Sequence, residues 1–271
     1  MHRITFIGGG NMARSLVGGL IGRNVDPAGI TIAEPRAEAR EALEHDFGVR
    51  TFADGSEAVA DADVVVLAVK PQVLTGVCKS LAPALAGRRP LLVSIAAGIR
   101  SDQIDRWLGG ETAIVRCMPN TPALIGAGAS GLFANARVSE EQKRQAEELL
   151  AAAGVTAWVE DEAQIDTVTG IAGSAPAYFF LLVEALEDAA AARGLPRDTA
   201  RTLAAQTCLG AGRMMVEGGE SPETLRQRVT SPNGTTQAAL ESFDRDHLRE
   251  IVARAVDACA ERGAALAKEN D

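Results

Sequence analysis

Residues 229–240, VTSPNGTTQAAL, set the hydroxyls of Ser231, Thr235 and Thr236 around Pro232, Asn233 and Gly234, between two segments with helical patterning. Asn233-Gly234 readily takes positive φ, and Thr235 or Thr236 then opens the helix that follows. A loop ending at a helix N-terminus presents unpaired N–H groups beside hydroxyl donors, which suits an anion such as a carboxylate. The same residues also suit an N-cap in a helix-helix turn. Local sequence leaves both open.

A second group lies near the N-terminus, where FIGGGNMA at 6–13 spaces Gly8, Gly10 and Ala13 as G-x-G-x-x-A. Gly8 permits a tight turn, Gly10 lets the backbone approach a pyrophosphate, and the small Ala13 lets helix and strand pack closely. The pyrophosphate then sits on free N–H groups at the helix start. Glycines also make ordinary turns, but an apolar strand before and a helix after favour a dinucleotide. Glu34 ends the second strand, where an acid bonds the ribose 2′-hydroxyl of NAD. Arg36 lies two residues on, where a guanidinium clamps a 2′-phosphate. A solvated loop is the plain alternative for both, and NAD versus NADP stays open. AVKPQ at 68–72, with Lys70, and CMPNTPALIGAG at 117–128 follow further strands, at the carboxyl ends where open α/β sheets bind ligands.

The elements that must position these residues alternate through the first half. Strands are expected at 4–7, 30–33, 49–52, 63–69, 90–96 and 113–118, with helices at 12–22, 37–47, 56–60, 73–85 and 101–108. Fully apolar strands separated by helices imply a parallel sheet covered on both faces. A helix at 139–153, with Ser139 as N-cap and Gln142 in the capping-box position, and a strand VTAWVE at 155–160 close this α/β domain at 162. Residues 163–271 carry no strand pattern. One long helix at 165–193 is interrupted at GSAPAY, 173–178; others follow at 197–216, from Ser221-Pro222 to 229, and at 247–268. The apolar and small residues of 197–216 are too extensive for a surface helix, which predicts oligomerisation.

Composition narrows the function classes. The 271 residues are 46% apolar and 23% charged with a net charge of −9, a soluble globular balance without the basic face of a nucleic-acid binder. Cys78, Cys117, Cys208 and Cys259 contain no C-x-x-C pair, and His2, His45 and His247 are far apart, so no metal site and no disulfide framework is expected. Residues 1–24 are apolar with an early arginine, as a secretory signal is, but Arg14 and the glycines break the run. Nothing is expected to reach the apolar length of a membrane span, and a cytoplasmic location is expected.

GGGNMA, AVKPQ, SIAAG at 94–98, RCMPNTPA, GSAPAY and TSPNGTT resemble, in order and from end to end, the signatures of the Δ1-pyrroline-5-carboxylate reductase family. The resemblance implies reduction of pyrroline-5-carboxylate to proline, the last step of proline biosynthesis, with NADPH or NADH. It implies a Rossmann-type NAD(P)-binding domain, 1–162, followed by an all-α dimerisation and substrate domain, 163–271, in homodimers that assemble into decamers. By position, Gly8, Gly10, Asn11, Met12 and Ala13 match the pyrophosphate loop. Ala68, Val69, Lys70 and Pro71 match a loop under the cofactor, joined by Ala97 and Gly98. Met118, Pro119 and Asn120 match the segment beside the nicotinamide. Ser231, Asn233, Gly234, Thr235 and Thr236 match the substrate loop, with the catalytic Thr236 hydroxyl near the ring nitrogen. One departure is Asn233-Gly234 where the family often has Gly-Gly; asparagine is the non-glycine residue that best tolerates the left-handed region.

Two other readings are weaker. A β-hydroxyacid dehydrogenase relies on a lysine in the long central helix, and 165–193 holds none. A non-enzymatic dinucleotide-binding module needs no hydroxyl-rich anion loop.

Overall fold

Short apolar strands build one sheet in this protein, whose computed structural model describes residues 2–270. Ile4–Ile7 (β1), Ile30–Ala33 (β2), Arg50–Phe52 (β3), Val64–Leu67 (β4), Leu91–Ser94 (β5) and Ile114–Met118 (β6) lie parallel in the order β3-β2-β1-β4-β5-β6. Four of them, β1, β2, β4 and β5, are buried at every position, as strands covered on both faces must be. Alternation along the strands feeds two cores. Phe6, Ile32, Val66, Val93 and Val115 join one cluster, and Ile7, Val65, Leu67, Leu92 and Ile114 join the other.

The helices follow in turn: Asn11–Gly22 (α1), Ala37–Phe47 (α2), Gly55–Ala58 (α3), Pro71–Leu85 (α4), Ser101–Trp107 (α5) and Glu140–Ala151 (α6). α1 and α6 supply Leu16, Val17, Leu149 and Leu150 to the first core, and α4 and α5 supply Leu74, Leu81 and Ile104 to the second. Each such fully buried side chain contributes about 1.5–3 kcal/mol. Ser139 caps α6 as its sequence predicts: Gln142 N–H donates to Ser139 Oγ at 3.2 Å, and Ser139 N–H donates back to Gln142 Oε1 at 3.0 Å.

The sheet does not end at β6. Gly128–Ala134 (β7) lies antiparallel beside β6, and Gly154–Trp158 (β8) pairs parallel with β7. The sequence reading has no strand at β7, because GASGLFA offers glycines and small residues where a strand should show branched ones. Packing explains them. A Cβ on Gly128 would come within 2.7 Å of the Ala153 carbonyl, and one on Gly131 within 2.5 Å of the Val168 side chain.

Beyond β8 come Gln164–Val168 (α7), a π-helical turn at Thr169–Gly173, and the helices Ala175–Ala192 (α8), Arg197–Glu217 (α9), Pro222–Arg228 (α10), Thr235–Arg245 (α11) and Leu248–Glu269 (α12). The expected interruption is thus a π turn slightly ahead of GSAPAY, and it carries the helical path onward. The 29-residue stretch Gln164–Ala192 is therefore long and apolar enough, by length and composition, to cross a membrane. This corrects the expectation that nothing reaches that length, because the π turn joins α7 and α8 into one continuous helical path.

The chain folds into two compact units, one of residues up to Ser174 with those from Asp257 on, the other Ala175–Val256. The sequence reading places its boundary at 162/163. In the structure α7 and the π turn pack on β6 and β7, and the end of α12 returns to the first unit, where Gln103 Nε2 donates to the Ala267 carbonyl at 2.8 Å. Within the second unit α8 and α9 pack as a pair. Glu187, only 7% exposed, joins them by accepting from Arg201 Nε at 3.0 Å and Arg197 Nη1 at 3.0 Å.

Candidate active site

The turn between β1 and α1 is shaped by what its glycines lack. Gly8 has φ +104°, and a Cβ there would come within 2.8 Å of the Ala68 carbonyl. A side chain at Gly9 would strike Leu43, whereas nothing lies within 4 Å of the corresponding point on Gly10. Gly10 is the exposed N-cap of α1 and no side chain caps that end. The first N–H groups of a 12-residue helix are therefore free of a side-chain cap, an arrangement that suits an anion by backbone dipole and donors together. Ala13 is 1% exposed within the first core. Asn11 is exposed and Met12 half-buried at the same helix start. The loop has the room and the donors that a pyrophosphate requires.

Glu34 stands one residue past β2 and is 6% exposed. Its Oε2 accepts from the Gly9 N–H at 3.2 Å, and its Oε1 accepts from Arg36 Nε at 2.8 Å and Arg36 N–H at 3.2 Å. Burial works to raise this carboxyl, but the bonds from Arg36 and Gly9 and the Arg36 charge outweigh it, so it is held below its ordinary value. Glu34 thus remains a carboxylate and pins the glycine turn. Gly9 is the residue that sequence reasoning missed here. Its signal is GGG, three glycines where the fingerprint requires two. Arg36 has a side chain 72% exposed, at the rim beside that carboxylate.

Three further strand ends carry expected site residues. Ala68 and Val69 are half-buried behind β4, and Lys70 is the exposed N-cap of α4, with Pro71 at its first position. Ala97 and Gly98 follow β5. Gly98 has φ +66°, and a Cβ there would come within 2.8 Å of Leu266 Cβ, so its bareness serves the packing of α12. Met118 closes β6, with its side chain filling the space left by the absent Cβ of Gly173. Pro119 is buried, and Asn120 is 8% exposed with both amide atoms bonded within the protein.

Thiol chemistry has no support at these loops. Burial pushes Cys78 and Cys117 up to about 12, which leaves them protonated and inert. No group of three His, Cys, Asp or Glu side chains able to hold a metal occurs among the described residues.

In the second unit, Ser231 to Gly234 form a turn closed by the Gly234 N–H donating to the Ser231 carbonyl at 3.0 Å. Asn233 takes φ +60°, while Gly234 is extended at φ −87° and is the N-cap of α11. The asparagine therefore carries the left-handed conformation alone. Its N–H donates to Gln237 Oε1 at 2.8 Å. No side chain caps α11, so the hydroxyls of this loop are not consumed in capping. Ser231 and Thr235 are exposed and Thr236 is half-buried on the first turn. Hydroxyl residues and an uncapped helix end thus adjoin in sequence on one turn.

Residues 162–266 match the family described as pyrroline-5-carboxylate reductase dimerisation, and residues 3–98 match the family described as NADP oxidoreductase, coenzyme F420-dependent. The pyrroline-5-carboxylate reductase of Pseudomonas aeruginosa is 52% identical over 267 residues, covering 98% of this chain and 97% of the relative. The solved structure of a pyrroline-5-carboxylate reductase from Coxiella burnetii is similar with a TM-score of 0.95 at 44% identity, over 98% of each chain. A Plasmodium falciparum pyrroline carboxylate reductase with NADP bound is similar with a TM-score of 0.84 at 27% identity, again over 98% of each chain. With the glycine cradle at α1, the hydroxyl loop at α11 and this likeness along its whole length, the chain belongs to the pyrroline-5-carboxylate reductase family.

Proposed function

We infer that the chain reduces the C=N bond of 1-pyrroline-5-carboxylate to give L-proline with NAD(P)H as reductant. Family membership carries the reaction, and the uncapped helix ends at α1 and α11 are the structural observations that support its two binding sites. The bound dihydronicotinamide supplies a hydride to the imine carbon. Gly8, Gly10, Asn11, Met12 and Ala13 bind the pyrophosphate on α1, and Ala68 to Pro71, Ala97, Gly98, Met118 and Pro119 border the rest of the cofactor. Ser231, Asn233, Gly234 and Thr235 hold the substrate carboxylate through N–H and hydroxyl donors, and the Thr236 hydroxyl bonds the ring nitrogen.

Little acid-base machinery is required. A protonated cyclic imine is already an electrophile, so the protein chiefly holds the ring against the nicotinamide face. Oxidation of an alcohol would need a positioned base such as His or Lys, and neither the α1 loop nor the α11 loop holds one.

Glu34 and Arg36 set the cofactor preference: the retained carboxylate favours a ribose 2′-hydroxyl, and Arg36 at the rim compensates for a 2′-phosphate. Exposed apolar side chains on α8, Phe179, Phe180, Leu181 and Leu182 at 50–66%, support a second copy rather than a membrane as the occupant of that face, with further assembly to a decamer, in the cytoplasm. The reaction is tested by following NAD(P)H absorbance with pyrroline-5-carboxylate; well-folded protein giving no turnover with either cofactor overturns the reading.

A further inference from the structure

The Asn120 side chain ties the loop after β6 to two other segments, β7 and the π turn. It belongs to the loop after Met118; its Oδ1 accepts from the Ala129 N–H of β7 at 2.9 Å, and its Nδ2 donates to the Ala172 carbonyl of the π turn at 3.1 Å. The residue is 8% exposed, so both bonds are shielded from water and hard to replace. Immediately beside them Met118 fits against Gly173, and Val168 fits against Gly131. A π turn inserts an extra residue into a helix and tends to mark functional positions. Here its Ala172 carbonyl accepts from a side chain of the loop that follows β6.

Both amide atoms are bonded inside the protein, so β7 and the π turn, not a ligand, set the orientation of the group. We propose that Asn120 is a positioning residue for hydride transfer: its amide fastens Met118 and Pro119 to β7 and the π turn, fixing the wall against which the nicotinamide rests. This rests on the reading that 118–119 flank that ring. The donor is the decisive half. An acceptor in its place would face the Ala172 carbonyl oxygen, and the two would push the loop and the π turn apart. A displacement of about 1 Å at a reacting centre costs on the order of 10²-fold in rate.

The test compares wild type, Asn120→Asp and Asn120→Ala by kcat, KM, the dissociation constant of NADPH, the isotope effect with 4-deuterated cofactor, and the pH profile of kcat. At pH 8 Asn120→Asp is expected to lose about 10–100-fold in kcat, with cofactor affinity changed less than about threefold and a larger isotope effect. Its activity relative to wild type should recover as pH falls, because the protonated carboxyl again donates to the Ala172 carbonyl. Asn120→Ala should lose kcat without that recovery, and it decides the matter if the aspartate variant does not fold. Either folded variant keeping kcat within about twofold overturns the proposal. So does cofactor affinity falling by the same factor as kcat, which marks a direct contact, or an Asn120→Asp pH profile parallel to that of wild type. Absence of reductase turnover in the wild type overturns the underlying reaction as well, and is separately visible.

Discussion

Thr236 differs from its neighbours in the hydroxyl loop by being half-buried on the first turn of α11, where a hydroxyl can meet a ligand seated on the helix end. Thr236→Ala is expected to lower kcat by about 10²-fold while leaving the NADPH dissociation constant unchanged; steady-state rates and fluorescence titration check both. Unchanged turnover and substrate affinity would remove the hydroxyl from the reaction. At the other loop, one carboxylate serves two purposes, pinning Gly9 and pairing with Arg36. Removing its charge in Glu34→Gln should shift the ratio of kcat/KM values toward NADPH, and Arg36→Ala should shift it toward NADH. Parallel assays with the two cofactors read the ratios, and opposite shifts would refute the assignment. The sequence already showed Glu34 and Arg36 as competing signals. It did not show that they are bonded to each other, because the pairing depends on the turn of the backbone after β2.

Among the elements, α5, α7 and α12 surround a cavity of about 460 Å³ lined by Arg100, Arg116, Glu162 and Asp166. Glu162 is well supplied, accepting from Ser101 N–H at 2.6 Å, Ser101 Oγ at 2.8 Å and Arg116 Nη1 at 2.9 Å. Asp166, one turn further along, is raised above its ordinary 3.8, first by burial, with Glu162 adding to the rise and Arg116 and Arg100 opposing it. The folded state therefore holds this proton more tightly than the unfolded chain, and stability falls as pH rises through that raised value. Asp166→Asn is expected to melt above wild type at pH 8, with the difference vanishing below pH 3.8; melting curves across pH measure it, and a lower midpoint at pH 8 contradicts it. The parallel strands and their helices were legible because periodicity and glycine spacing are local. β7 was not, since its small residues answer to Val168 and Ala153, which are remote in sequence. The π turn was visible only as an interruption, because its geometry is decided by packing against Met118 and by the Asn120 bond.

Considering the molecule as a whole, the most apolar surface lies on α8 and α9, where Phe180, Leu181, Leu203, Leu209, Met214 and Val216 are all more than half exposed. An apolar face of this extent marks an interaction surface, and the dimerisation family covers these residues. Phe180→Glu combined with Leu181→Glu is expected to shift the protein to monomer and to lower its solubility; sedimentation velocity checks this, and an unchanged assembly would place the interface elsewhere. The return of α12 to the first unit has a different consequence. The chain crosses between its two compact units twice, once after Ser174 and once after Val256, so the helical unit is an insertion rather than an appendage. A nucleotide-binding fragment cut at 174 would lose the helix that covers Gly98 and receives the Gln103 amide. A faithful minimal fragment must splice residues 257–270 back onto the first unit, because the polypeptide leaves that unit after Ser174 and re-enters it at Asp257.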